Sequence, residues 1–192
     1  TRAFNNIVYA IHDIPGHELY TWDSYQAANG KYYAYIVVDD AVDRQLITEI
    51  VVPEEVNGHA VEDIGWDFLG ARKAWGGVKG LSKYKEDDPT DWDDPECWVE
   101  TLTFPASINT FGLEGNPLWF YNAENIECIF EGDINTIKFG KDPLKFFAEN
   151  GYLQYSWDIN ADGIAIVVPE GIDPETIYDV VIPSTFGGQT VT

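Results

Sequence analysis

Ile47-Thr48-Glu49-Ile50-Val51-Val52-Pro53 is the first of four related stretches in a chain of 192 residues. Val99-Glu100-Thr101-Leu102-Thr103-Phe104-Pro105 and Ile177-Tyr178-Asp179-Val180-Val181-Ile182-Pro183 repeat its apolar-x-x-apolar-x-apolar-Pro order. Ile126-x-x-Ile129-x-Glu131 follows the same spacing, with Glu131 where an apolar residue is expected. Three copies run on into a second beat: Val61-x-x-Ile64-Gly65, Ile108-x-x-Phe111-Gly112 and Ile134-x-x-Ile137. The alternation is that of a strand, and the proline or glycine behind each strand forces a turn. A unit this short cannot bury its apolar side alone, so neighbours must stack and share a core. The expected fold class is therefore α+β, a solenoid of short strands and short helical turns. The strands at 47–53, 99–105, 126–131 and also 177–183 are expected as neighbours in a sheet.

A larger duplication lies over the small one. Moving the chain by 130 positions sets Ile36-Val37-Val38 on Ile166-Val167-Val168, Asp43 on Asp173 and Ile47 on Ile177. The same shift sets Val51 on Val181, Pro53 on Pro183, Gly58 on Gly188 and Val61 on Val191. Tyr20-Thr21-Trp22-Asp23 falls on Tyr155-Ser156-Trp157-Asp158 at a shift of 135. The chain thus reads as a fragment of a longer tandem array. Residues 1–46 form a β-rich cap, with Tyr32 to Val38 its plainest strand. Residues 47–151 form the repeat region, with an insertion at 71–98. Residues 152–192 start a second copy of the cap and first repeat, and residues 160–192 are expected to fold back on the module or to pair with another molecule. Trp66 to Gly70 reads as a helical turn. A helix is expected after Asp142, its cap, with Pro143 in the first turn, Leu144, Phe147 and Ala148 on one apolar face, and Gly151 ending it.

These residues resemble the BspA-like class of bacterial leucine-rich repeats, in which a strand closed by proline leads to a second short strand and a joint. Phe120-Tyr121-Asn122-Ala123-Glu124-Asn125-Ile126-Glu127 is similar to the inter-repeat joint. Pro53-Glu54-Glu55-Val56-Asn57-Gly58-His59-Ala60-Val61 is similar to an opening repeat lengthened by an Asn-Gly turn. Asp142 to Tyr152 resembles a closing helix and final strand. The matching segments cover about half of the chain. The resemblance implies a surface or secreted bacterial protein with an adhesive role, holding protein or polysaccharide on cells or matrix.

Composition narrows the function. The net charge is −22, from 33 carboxylates against 11 lysines and arginines, which argues against a phosphate-bearing nucleic acid partner. It also disfavours anionic lipid. No run of about 18 apolar residues is present, so no membrane insertion is expected. With 45% apolar residues the chain can build a core despite its charge. Methionine is absent, as suits an excised fragment.

Catalytic patterns are sparse. His12, His17 and His59 are scattered, and no serine or cysteine sits in a nucleophile-elbow context. The expectation is a protein that is not an enzyme and needs no cofactor. Cys97 and Cys128 have the wrong spacing for zinc and read as two free thiols or, in the right register, a bridge. Asp158-Ile159-Asn160-Ala161-Asp162-Gly163 begins like an EF-hand loop, but Pro169 takes the twelfth position, so a tight turn between strands is the better reading. Glu86 to Glu96 holds seven carboxylates in eleven residues. It is a solvated loop or a calcium site.

Trp22 and Trp157 recur at matched positions and read as cap core; Trp66 and Trp119 read as packing in the joints. Trp75, Trp92 and Trp98 belong to the insertion, where they pin the loop or stack on sugar rings. The ligand face is expected on the outward side of the strands: Thr48, Glu49 and Val51; Glu100, Thr101 and Thr103; Glu127, Cys128 and Phe130. Trp98, Glu100, Thr103, Glu127 and Phe130 are the candidate ligand-binding residues. The functional expectation is a non-catalytic binding or adhesion module on a bacterial surface or secreted. The alternatives are a carbohydrate-binding accessory region of a polysaccharide-degrading protein and a structural spacer.

Overall fold

The computed structural model describes residues 19–38, 41–65, 99–113, 126–160 and 163–191. Among them the fold is mixed, mostly strands with one α-helix, and the sheets do not close into a barrel. Strands β1 (Tyr20–Gln26) and β2 (Tyr32–Val38) form an antiparallel hairpin. The first-beat strands β3 (Glu49–Val51), β7 (Thr101–Phe104) and β9 (Glu127–Phe130) make a three-stranded parallel sheet. Between β3 and β7 come a small hairpin, β4 (Glu55–Val56) with β5 (His59–Ala60), and β6 (Asp63–Ile64). The second-beat strands β6, β8 (Thr110–Phe111) and β10 (Lys138–Phe139) run parallel and extend the β1–β2 hairpin, in the order β1-β2-β6-β8-β10. Each short unit thus contributes one strand to each of two parallel ladders. Its apolar residues meet in the common core between them, led by Ile50, Leu102, Phe104, Ile64 and Phe111.

Register corrects two readings. The pairs Ile50↔Leu102↔Cys128 and Val51↔Thr103↔Ile129 place Cys128, not Ile129, at the core position. Phe130, paired with Phe104, takes the place assigned to Glu131. A strand has period 2, so a one-residue offset exchanges the two faces of the whole segment. Ile129 is 41% exposed, whereas Cys128 is buried. In the second ladder Phe139 pairs with Phe111, so Phe139-Gly140 is the beat matching Phe111-Gly112, and not Ile134-x-x-Ile137. The amides of Gly112 and Gly140 donate to the carbonyls of Ile64 and Phe111. A Cβ at Gly140 would overlap the Gly112 carbonyl, so the backbones approach where only glycine fits.

Helix α1 (Lys141–Glu149) follows directly. Gly140, not Asp142, is its N-cap residue; Asp142 lies in the first turn, where its charge favours the helix N-terminus. Pro143, Phe147 and Ala148 are buried and Gly151 takes φ +78° behind the helix. Phe147 joins Phe111 and Phe139 at ring-centroid distances of 5.2 and 5.3 Å.

Local structure recurs at the matched positions. Strands β11 (Ser156–Asn160) and β12 (Gly163–Val167) rebuild the first hairpin, pairing Trp157 with Ile166 as β1 and β2 pair Trp22 with Ile36. Asn160 pairs with Gly163 with two positions between, the spacing of a tight turn. Asp43 and Asp173 each accept from the amide two residues on, as does Asp133, and each opens a 3₁₀ turn. Strands β13 (Thr185–Phe186) and β14 (Gln189–Thr190) copy β4 and β5. Asn57-Gly58 and Gly187-Gly188 have φ of 54 and 81° and of 57 and 78°, the positive pair that a two-residue hairpin turn needs. Gly187 donates to the Thr136 carbonyl at 2.9 Å, which ties this last hairpin back to the body. One expectation fails: residues 177–183 form no strand beside the others. Among the described residues, the strand that pairs with β3 has no counterpart next to them.

Candidate functional site

The outward side of β3–β7–β9 carries two rows set by register. One row is Glu49–Thr101–Glu127 and the other Val51–Thr103–Ile129. Parallel strands lie about 4.8 Å apart, so each row is a line of side chains at that spacing. Glu127 and Ile129 are exposed, and Glu49, Val51, Thr101 and Thr103 half-buried. Glu100 is exposed at the head of β7, and its amide donates to the Thr48 carbonyl at 2.7 Å. Carboxylates, hydroxyls and two aliphatic groups form a flat surface able to accept hydrogen bonds and cover an apolar edge.

The five candidates fare differently. Glu100 is exposed at the head of β7, outside the paired register, and Thr103 and Glu127 lie on this side of the sheet. Phe130 does not: it is half-buried and packs inward against Phe104 and Phe147, at centroid distances of 5.1 and 5.3 Å. Ile129 holds the exposed apolar place instead. Trp98 lies outside the described residues, as do Trp66, Trp75, Trp92, Trp119, Cys97 and the 86–96 loop. Cys128, expected outward, is a buried free thiol whose amide donates to the Tyr152 hydroxyl at 2.9 Å. Burial, with help from the Glu127 charge, pushes its pKa up to about 12. Among the described residues no group of His, Cys, Asp and Glu is arranged to hold a metal ion.

A second cluster escaped the sequence reading. On one face of the β1–β2 hairpin, Asp23 stands opposite Tyr35 and Tyr25 opposite Tyr33. The Tyr35 hydroxyl and the Asn57 amide both donate to the Asp23 carboxylate at 2.8 Å. The Ser24 amide donates to it as well, and these bonds, Ser24 first, hold its pKa below the usual value. Tyr25 stacks on Tyr33 at 5.4 Å with planes 10° apart. The duplication was the available signal: Asn160, Gly163 and Ala165 occupy the places of Tyr25, Tyr33 and Tyr35. A hairpin of this shape therefore forms without the tyrosines.

On β6, beside this hairpin in the same sheet and paired with Tyr33, Asp63 is fully buried, and neither of its carboxylate oxygens makes a well-formed hydrogen bond. Burial pushes its pKa up, against the pull of Thr110, Tyr33 and the Lys31 ammonium. Lys31 itself bonds Asn109 and Thr110, and burial pulls its own pKa down. Asp63 has no solvent-facing surface.

No family of known proteins, no curated protein and no solved structure matches the chain. Among the described residues no helix is long and apolar enough to cross a membrane.

Proposed function

We propose that the chain is a non-catalytic binding module of a secreted or bacterial cell-surface protein. In this reading its repeats stack as a leucine-rich-repeat-like solenoid of the BspA-like type, with the β1–β2 hairpin as the cap. A protein or polysaccharide partner lies across the β3–β7–β9 face. The observation that supports this is the register: successive units bring Glu49, Thr101 and Glu127 into one row and Val51, Thr103 and Ile129 into the next. Open sheet faces of stacked repeats are extended surfaces of the kind used for partners.

The test is a solid-phase screen of the full chain against matrix proteins and bacterial, host and plant polysaccharides, repeated with Glu127→Lys/Ile129→Asp. The proposal expects one class to be retained, and the double variant to lose binding with its melting temperature nearly unchanged. Retention of the variant equal to the parent refutes this face as the site. Retention by nothing in the screen returns the chain to the spacer reading.

A carbohydrate-binding accessory role is favoured by one further observation, the Asp23–Tyr25–Tyr33–Tyr35 cluster that the second hairpin lacks. Aromatic faces beside fixed hydrogen-bonding groups are suited to sugar rings. Affinity gels with plant and host glycans, run with Tyr25→Ala, discriminate: retardation abolished by that change assigns the hairpin as the sugar site.

A further inference from the structure

Lys31 and Asn109 are 78 positions apart, yet the Lys31 ammonium donates to the Asn109 side-chain carbonyl and, at 3.3 Å, to the Thr110 hydroxyl. The strands involved are not neighbours, because β6 lies between β2 and β8. Lys31 stands at the head of β2, two positions before Tyr33 and so on the same face of the sheet. Tyr33, Asp63 and Thr110 form one row of that face in register. The lysine stem therefore crosses the row at Asp63. The row is closed to water, since Tyr33, Asp63 and Thr110 are 5, 0 and 2% exposed. Asn109 is held from its other sides. Its amide donates to the Glu62 carbonyl at 3.0 Å, and its carbonyl accepts from the Lys138 amide at 2.9 Å. Its side-chain nitrogen donates to a Glu62 carboxylate oxygen at 3.4 Å. Gly188 closes on the same side chain, where a Cβ would lie 3.2 Å from both Cγ and Nδ2. The carboxamide is thus set with its oxygen toward Lys31 and its nitrogen toward Glu62.

An amine, a carboxamide and a buried carboxyl whose two oxygens make no well-formed hydrogen bond are thereby gathered in one place. We propose that Lys31 and Asn109 join in an isopeptide bond that the folded chain forms by itself, with Asp63 as the proton carrier. The Lys31 Nζ, as the neutral amine, adds to the Asn109 Cγ. Asp63, as the carboxylic acid, gives its proton to Nδ2 and takes one back from Nζ. The Nζ–Cγ bond forms, the Cγ–Nδ2 bond breaks, and Nδ2 leaves as ammonia. Asp63 ends as it began, and no oxidant or further reactant is consumed. Burial favours the neutral form of both groups, pushing the Asp63 pKa up and pulling the Lys31 pKa down. For Lys31 the Asp63 and Glu62 charges oppose that pull and Lys138 assists it. Holding the amine against the carboxamide makes the attack intramolecular, which removes most of its entropic cost. The bond ties the β1–β2 hairpin to β8 across β6. It is independent of whatever binds the β3–β7–β9 face.

The test is the intact mass of the full chain, purified and incubated in its folded state. The expected mass is that of the sequence less one ammonia, and a protease digest should yield a branched peptide carrying both Lys31 and Asn109. Lys31→Arg and Asn109→Ala, with folding checked by circular dichroism, should keep the full mass. Each should melt about 10 °C lower than the parent, through loss of a covalent closure over a long loop. Asp63→Asn keeps the side chain's shape but cannot carry the proton, so it should also keep the full mass, while Asp63→Glu restores part of the ammonia loss. Urea midpoints of Asp63 variants are compared in the Lys31→Arg chain, where loss of a buried charge is not mixed with loss of the bond. A parent chain at full mass overturns the proposal. So does an ammonia loss that persists in Lys31→Arg, because it then comes from cyclisation of an asparagine. Ammonia loss in Asp63→Asn at the parent's rate overturns the role given to Asp63.

Discussion

Exchanging the roles of Phe130 and Ile129 is the most direct challenge to the register of β9. Phe130 packs within 6.5 Å, centroid to centroid, of Phe104, Phe111, Phe139, Phe147 and Tyr152. Truncating a core phenylalanine to alanine costs about 3–5 kcal/mol through lost transfer energy and the cavity left behind. Phe130 retains some exposure, so Phe130→Ala is expected to cost about 2–4 kcal/mol. Ile129→Ala, at an exposed position, is expected to cost less than about 1 kcal/mol. Urea unfolding followed by tryptophan fluorescence measures both. For a chain of this length the first change should lower the melting temperature by roughly 5–15 °C and the second by a few degrees at most. The alternative register, with Ile129 inside and Phe130 on the ligand face, predicts the reverse order. A smaller loss for Phe130→Ala than for Ile129→Ala would refute the pairing of Phe104 with Phe130.

Cys128, with its thiol raised to about 12 from 9.0, holds about a thousandfold less thiolate at pH 8 than an exposed cysteine. Its peptide should stay unalkylated in the native chain and react fully in denaturant, as mass spectrometry will show. Asp63 has a folded pKa raised by burial, so its contribution to stability is fully present below the ordinary value of 3.8 and is lost as pH rises through the raised one. Asp63→Asn should therefore gain on the parent at pH 7 and lose that advantage as pH falls toward 3.8, measured by urea midpoints. Gly140→Ala drives a methyl into the Gly112 carbonyl and should destabilise by about 3 kcal/mol or fail to fold, whereas Gly151→Ala, with open space around its Cβ, pays only for its positive φ, about 1 kcal/mol. Asp133→Ala removes the acceptor of the Asn135 amide, and a loss of about 1 kcal/mol is expected from the same melts.

The sequence by itself carried the local grammar of this protein. Apolar spacing with proline or glycine behind it located β3, β7 and β9 and the second-beat strands β6 and β8, because a strand's period and a turn's φ are written in consecutive residues. The 130-position duplication pointed to a second set of cap strands in residues 152–192 for the same reason, while the aspartate-opened turns and the Trp–Ile cross-strand pairs emerged only in the fold. The helix at 141–149 was legible from Pro143, Phe147 and Ala148. Tertiary structure decided what depends on a neighbour. Ile126-Glu127-Cys128-Ile129-Phe130 offers two apolar registers, and only pairing with β7 selects the one that turns Cys128 and Phe130 inward. The same dependence separates two segments of matching apolar spacing: Ile50 and Val52 are core in β3 and the turn behind it, beside β7, while Val180 and Ile182 are exposed. The tyrosine face around Asp23 also needed the fold, since Asn57 lies 34 positions away from the carboxylate it bonds. Burial is a property of the pair of surfaces, and a strand read alone supplies one of them.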